Sequence, residues 1–390
     1  MSADTSNAVP DDLLQRRAVA LEVSAWGERF HFVQPRNLCF WIYLWLVGSG
    51  VVKLVGLYSD QVDYYGGAIS VAVAICVVYT AAWWWWFRHI DRWERQPVSL
   101  ILAGFIWGGL AATFALAITA NGAVMSIYAK TFGQVWAADW QAGLTAPFVE
   151  ETVKAAGFLL LMGLAPRLVR TVNDGLVIGA FIGLGFQVFE DVLYGTNAAA
   201  RGFGVDPVGG VLSTTALRIV SGVVSHPLFT ALFCAGLIYV IGTVAQPRRI
   251  GRGLLLIASS MLAHGVWDSA AALSRGKGLA VIGILLGIGV FGWIVLWLAF
   301  RLAAPREHAF VRDILGPEVS SGVLTSDEVG AVVDRHARKA YLRGHGRRSR
   351  RHLLRAAMDL CEDVAADKGE DTPRVEAARA EIARFRAAAA

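Results

Sequence analysis

The sequence predicts an all-α polytopic membrane protein with about eight transmembrane helices (8–9) and a C-terminal helical cytoplasmic tail. Composition is the first observation: 55% of the 390 residues are hydrophobic, 17% are charged and the mean hydropathy is +0.50, too apolar for a soluble domain of this size. The second is the recurrence of mostly apolar runs of about 20 residues, the length that crosses a bilayer at a rise of 1.5 Å per residue. The third is a change near Pro305 to a mixed-charge, helix-forming sequence. Three segments follow: 1–37, a cytoplasmic N-terminal segment; 38–304, the transmembrane domain, with a core at about 140–273; and 305–390, the tail.

The N-terminal segment is polar and has no apolar signal-peptide core before Asn37, so the first span is expected to act as the insertion signal. Candidate spans are 38–58, 66–87, 98–120, 142–165, 175–195, 222–245, 253–273 and 279–303. Trp83 to Trp86 followed by Arg88 reads as an interfacial aromatic belt. Gly175, Gly179 and Gly183 recur every four residues, which lets a neighbouring backbone come close and would hold Glu190 near it. The run 209–245 is too long for one span, so 209–219 is expected to form a re-entrant or interfacial helix, or a ninth crossing. Cys39, Cys76, Cys234 and Cys361 have no C-x-x-C spacing and support neither a disulfide framework nor a cysteine zinc site.

Loop charge predicts orientation. The basic loops 88–97 (Arg88, Arg92, Arg95), 166–174 (Arg167, Arg170) and 246–252 (Arg248, Arg249, Arg252) should be cytoplasmic. Loops 59–65, with Asp60 and Asp63, 121–141 and 196–208 should face outward, and both termini then lie inside; the turn with Arg275 and Lys277 fits this poorly. In the tail, Thr325-x-x-Glu328 reads as a capping box and Thr372-Pro373 as a helix start. Arg343, Arg347, Arg348, Arg350, Arg351 and Arg355 lack the interleaved aromatics that stack on bases, so anionic lipid is a better partner than nucleic acid.

Ionised groups inside a span cost about 2.5–3.5 kcal/mol each and so mark a function or a buried partner. Glu150, Glu151 and Lys154 lie on span four, Glu190 and Asp191 on span five, His226 at the start of span six, and His264 with Asp268 on span seven. Glu150 and Lys154 share a helix face at spacing four, as do His264 and Asp268, and Glu151 reaches Lys154 at spacing three. At 1.5 Å per residue Glu150 is about 12 Å, Glu190 about 8 Å, His264 about 14 Å and Asp268 about 8 Å from the outer ends of their spans, so groups from four helices converge in the outer half of the bilayer. Asp191 points about 100° away from Glu190 and is left out, while Lys53 and Arg218 are expected to snorkel.

The order Glu150-Glu151-x-x-Lys154, Phe186-x-x-x-Glu190, His226 and His264-x-x-x-Asp268 resembles the PrsW family of intramembrane endopeptidases, itself similar to the CAAX prenyl endopeptidase and bacteriocin-processing superfamily. The resemblance covers about 145–271. It implies an integral protein of a bacterial plasma membrane and a glutamate-dependent cut, of the site-1 type, in a single-span substrate near its outward boundary. Anti-sigma factors are often the substrate in that family. Glu190 stands where CAAX-type relatives have a histidine, which puts its role in question.

The chemistry is also readable from residue types. A carboxylate among apolar helices can serve as general base for a water, and Glu150 is the choice here, with Glu190 as helper. His264 and Asp268 suit the tetrahedral oxyanion, or Asp268 orients His264. Glu151 and Lys154 suit a supporting ion pair, and His226 a further hydrogen-bonding or acid group. A proton-coupled transporter also needs such groups, but would distribute them over two inverted repeats rather than spans four to seven alone. A zinc-dependent intramembrane metalloprotease could use two histidines and a carboxylate, yet no H-E-x-x-H is present, so hydrolysis is expected without a cofactor. A silent scaffold would not need this full set of groups.

Overall fold

Lipid offers no partners to backbone N–H and C=O groups, so a spanning chain must satisfy them within its own helices. The computed structural model describes residues 9–91, 93–343 and 346–388, and among these every regular element is helical. Arg92, one of the expected cytoplasmic loop charges, residues 1–8 of the N-terminal segment and 389–390 of the tail lie outside the described residues. The chain divides into two compact units, Phe30–Arg301 and a second built from the segments Met1–Arg29 and Leu302–Ala390.

Among the described residues six helices are long and apolar enough to cross a membrane: Leu38–Ile90, Val98–Phe132, Val172–Ala199, Pro207–Ile241, Ile250–Asp268 and Gly278–Ser320. Helix α1 is Asp11–Ser24, and α2 runs from Leu38 to Ile90. The expected spans 38–58 and 66–87 thus form one helical run, without the loop expected at 59–65. A straight α-helix would put Tyr43 and Trp84 about 60 Å apart. Yet the Tyr43 hydroxyl donates to Ala103 O (2.8 Å), while the Trp84 ring lies 6.0 Å from that of Phe105. Both contacts fall on α3, Val98–Ile106, so the long run doubles back between Tyr43 and Trp84. No proline marks the reversal, which is why helical assignment passes through Asp60 and Asp63.

After α3 the chain widens into a π-helix, Trp107–Ala117, then continues as α4, Ile118–Phe132. Span 98–120 and loop 121–141 were expected here; the helix instead runs twelve residues further, to Phe132, and breaks only at Gly133, whose φ of +86 is open to glycine. Helix α5 is Gln134–Leu164, set apart from the apolar six by Glu150, Glu151 and Lys154, and α6 is Val172–Ala199. The run 209–245 breaks as expected: α7, Pro207–Ser221, is separated by a 3-10 turn, Gly222–Val224, from α8, His226–Ile241. Helix α9 is Ile250–Asp268, α10 Ala270–Leu273 and α11 Gly278–Ser320. Of the tryptophan belt, Trp85 and Trp86 are exposed, whereas Trp84 packs on Phe105 and Phe181.

The second unit contains α1, the end of α11, and the helices α12 (Ser326–Val333), α13 (Arg335–Tyr341), α14 (Arg347–Ala366) and α15 (Pro373–Ala387). Helix α1 of the N-terminal segment packs within the same unit as the tail. Buried Arg17 donates to Ile314 O and to Glu318, which also takes two hydrogen bonds from Arg379. Both expected helix starts are present: Thr325 and Glu328 form the capping box, and Thr372 caps the proline-led α15.

The ends of α2 and α6 are tied together at one level. Asp91 accepts from Gln96 N (3.0 Å), Arg88 Nη1 lies 3.4 Å from the same carboxylate, and the Gln96 amide donates to Asp174, which closes the capping box of α6 with Thr171. Burial, against the hydrogen bond from Gln96 and the charge of Arg88, pushes the Asp91 carboxyl up to about 7. Folded Asp91 holds its proton to higher pH than the unfolded chain does, so its contribution is full below the ordinary aspartate range and is lost as pH rises through about 7. Thermal unfolding followed between pH 5 and 8 should show wild-type stability falling with pH, and Asp91→Asn should flatten the decline. Equal slopes in the two proteins would remove Asp91 as its source.

Candidate functional site

The site is assembled by close backbone approaches that small residues permit. A Cβ on Gly179 or Gly183 would collide with α8, at the backbone of Thr230 and Ala231 and of His226, so the glycine row fixes the height of His226 against α6. Pro147 lacks an N–H and sits one turn before Glu150, where α5 meets α9: a Cβ on Gly265 would lie 2.9 Å from Gly143 O and 3.2 Å from the proline ring. His264, one residue earlier on α9, is thereby held beside Glu150 and Glu151.

Every residue expected at the site is there. Lys154, fully buried, places Nζ 2.8 Å from Glu151 Oε1, 3.5 Å from Glu150 Oε2 and 2.8 Å from His226 Nδ1, over the Phe186 ring at 3.9 Å. His264 Nε2 is 3.6 Å from Glu150 Oε2 and 3.4 Å from Asp268 Oδ2, and its Nδ1 is 3.0 Å from Glu151 Oε1 without forming a well-aligned hydrogen bond. His226 Nε2 is 3.0 Å from Glu190 Oε2. The Thr230 hydroxyl donates to Glu151 Oε2 (2.9 Å), so Glu151 is held on both oxygens. Side-chain exposure rises from 0% at Lys154 and Glu151 to 15% at Glu190 and 24% at Asp268, which gives the site an open side at one end of the helices.

An ammonium can only donate, so His226 Nδ1 accepts from Lys154 and its Nε2–H donates to Glu190. Glu190 thus meets His226 through Oε2. The same oxygen of Glu190 also takes Arg218 Nη2 at 2.5 Å, and Arg218 Nε bonds Asp191. Arg218, expected to snorkel, and Asp191, left out of the site, instead join Glu190: the part-buried guanidinium bridges the two carboxylates, and the Tyr194 ring lies 4.1 Å from it. The 100° separation of Glu190 and Asp191 is spanned by one arginine fork from α7. Gln187 donates to Asp191 and accepts from Ser225, anchoring the break before His226. Lys53 also has a partner, Thr119. Asn121, placed by the sequence in a loop, donates Nδ2 to Glu150 Oε1 at 2.9 Å.

Donor atoms of Glu150, His226 and His264 lie within 4.8 Å of one another, which in type is a zinc set. Charge decides against it. The His226 nitrogen that faces Glu150 is already bonded to the Lys154 ammonium, and a cation about 2 Å from that nitrogen and from Glu150 Oε2 would lie against Nζ. As arranged, these residues do not accommodate a resident divalent cation.

Arg218 bridges the buried Asp191 and the half-buried Glu190 at the rim. Arg218→Gln should lower the protein's stability by about 3 kcal/mol, the scale for stripping one partner from a buried pair. Adding Asp191→Asn should recover part of that loss in an unfolding measurement; purely additive effects would show that the pair is not coupled.

A family model described as PrsW family intramembrane metalloprotease matches residues 96–300, more than half of the chain, and the chain belongs to that family. It is accordingly an integral membrane protein with peptidase chemistry. No curated protein and no solved structure matches it.

Proposed function

We propose that this PrsW-family chain hydrolyses a peptide bond of a single-span, membrane-anchored protein near the outer membrane face, using water activated by Glu150. One observation carries the reading: Glu150 Oε2 is buried and has no hydrogen-bond partner, while Lys154, His264 and His226 all face it at 3.5–3.8 Å. A carboxylate oxygen left bare among fixed dipoles and charges is available to accept a proton from water.

In the proposed sequence a water hydrogen-bonded to Glu150 Oε2 attacks the scissile carbonyl carbon as its proton passes to that oxygen. His264, backed by Asp268, holds the tetrahedral oxyanion. When the C–N bond breaks, the proton on Glu150 goes to the departing nitrogen and regenerates the carboxylate. Glu151 and Thr230 hold Lys154 and α8 in place, and Glu190 with Arg218 fixes His226, whose Nδ1 in turn steadies Lys154. The family description favours a metal as a second reading, with Glu150, His226 and His264 as its ligands. Lys154 in that same position argues for the metal-free one.

The proposed topology has eight crossings with both termini cytoplasmic. It is supported by the doubling back of α2, which then counts twice, and by the loop charges. The N-terminal and C-terminal segments also share one compact unit, which requires an even number of crossings between them. Exposed Arg347, Arg351 and Arg355, spaced by four on α14, suit anionic lipid at the inner leaflet.

Co-expression with a panel of single-span membrane proteins tagged at both ends tests the function. Glu150→Ala should abolish fragment formation at unchanged abundance, and wild-type cleavage in the variant would sink the assignment. The purified enzyme should keep its activity in chelator; loss with recovery on adding zinc would establish the metal reading instead.

A further inference from the structure

Asn121 lies outside the motifs that mark the site, yet its side chain touches the proposed base directly. It stands in the first turn of α4, just beyond the π-helix Trp107–Ala117. Each i→i+5 turn holds one residue more than an α-turn, so the π segment rotates everything that follows it about the helix axis, and such segments are frequent at functional sites. Glycines make the widened segment possible: a Cβ on Gly108 would strike Ile182 O of α6, and one on Gly109 the Phe189 ring. The start of the segment is tied to α5 by Trp107 Nε1, which donates to Val153 O at 3.0 Å. On α4, Thr119 accepts from Lys53. Between those ties the Asn121 amide meets Glu150.

We propose that Asn121 is a positioning residue for the general base, a role that rests on the Glu150 reading above. Its Nδ2–H fixes Oε1, so the carboxylate cannot rotate and Oε2 alone is turned toward His264, His226 and Lys154. The amide orientation follows from chemistry, since a carboxylate accepts and only the nitrogen end of the amide can donate. A second observation sets this contact apart from ordinary helix packing. Asn121 Oδ1, Glu150 Oε2 and both His264 nitrogens are buried without a hydrogen bond, and they belong to the three side chains that surround the reacting position. This contact uses half of each group and leaves the other half facing the position a reactant would take.

The full-length protein tests this in two readouts. Infrared bands of the Glu150 carboxylate are those that Glu150→Gln lacks. They should shift in Asn121→Leu, which removes the donor at similar volume, and stay near the wild-type position in Asn121→Gln, which keeps it; Asn121→Ala replaces the leucine variant if that one does not accumulate. On a reporter from the co-expression panel the donor-free variant should lose about ten- to a hundredfold in kcat with KM unchanged, the scale of one hydrogen bond to a charged group. Unmoved bands in the donor-free variant, or equal displacement in Asn121→Gln, would overturn the proposal. Cleavage that persists in Glu150→Gln would instead remove Glu150 as base, while the infrared comparison would still decide whether Asn121 holds its carboxylate.

Discussion

The ammonium of Lys154, sealed from solvent between α5, α6 and α8, is the constraint on which the rest of the site depends. It has no access to water, so its protons must be met by the protein: Glu151 and His226 each accept one at 2.8 Å, and Glu150 Oε2 faces it at 3.5 Å without a hydrogen bond. Removing two such ions from water costs several kcal/mol each, and their attraction offsets this only when the remaining lone pairs are also satisfied. Thr230 on the second oxygen of Glu151 and the Phe186 face against Nζ complete that requirement. A second cation, Arg218, does the same for Glu190 and Asp191. The site is therefore two adjacent carboxylate pairs, on α5 and α6, each facing one cation, with His226 joining them through its two ring nitrogens.

This arrangement explains why the helices meet through backbone rather than side chains. A charge cluster needs every partner at hydrogen-bond distance, which α6 and α8 reach only because Gly179 and Gly183 present no Cβ. The same logic places Pro147 and Gly143 against Gly265, on the turn before the glutamates. Tight packing and catalysis are thus one requirement here: bulk added to the glycine row would move His226 away from Lys154 and leave a buried ammonium short of a partner.

Much of this was legible in the sequence. Helical spacing put Glu150 with Lys154 and His264 with Asp268, and intramembrane charge drew attention to all four spans before any contact was known. What escaped has specific causes. Arg218 and Asp191 were judged one helix at a time, by direction and depth, whereas their role depends on α7 folding back to bring one arginine across both carboxylates. Asn121 was hidden because the length of an apolar span ends it at residue 120 and puts Asn121 in a loop, whereas the helix continues past the π segment to Phe132. The reversal within α2 carries polar Asp60 and Asp63 but no proline, so hydropathy registered its two halves and not their continuity.

The pattern of satisfied and unsatisfied groups separates the working part of the cluster from its scaffold. Glu151 has both oxygens bonded and His226 both nitrogens, so neither can accept a reactant without first breaking a buried contact. Glu150 differs in having one oxygen held and one bare, and the nitrogens of His264 lie close to carboxylates without well-aligned bonds. An unmet buried acceptor costs stability, and here it is the oxygen that faces Lys154 and both histidines. Its place beside a well-bonded surround is what a preorganised site for a proton-transfer step requires: the surround spends its interactions on rigidity, and the reacting atoms keep theirs for the substrate.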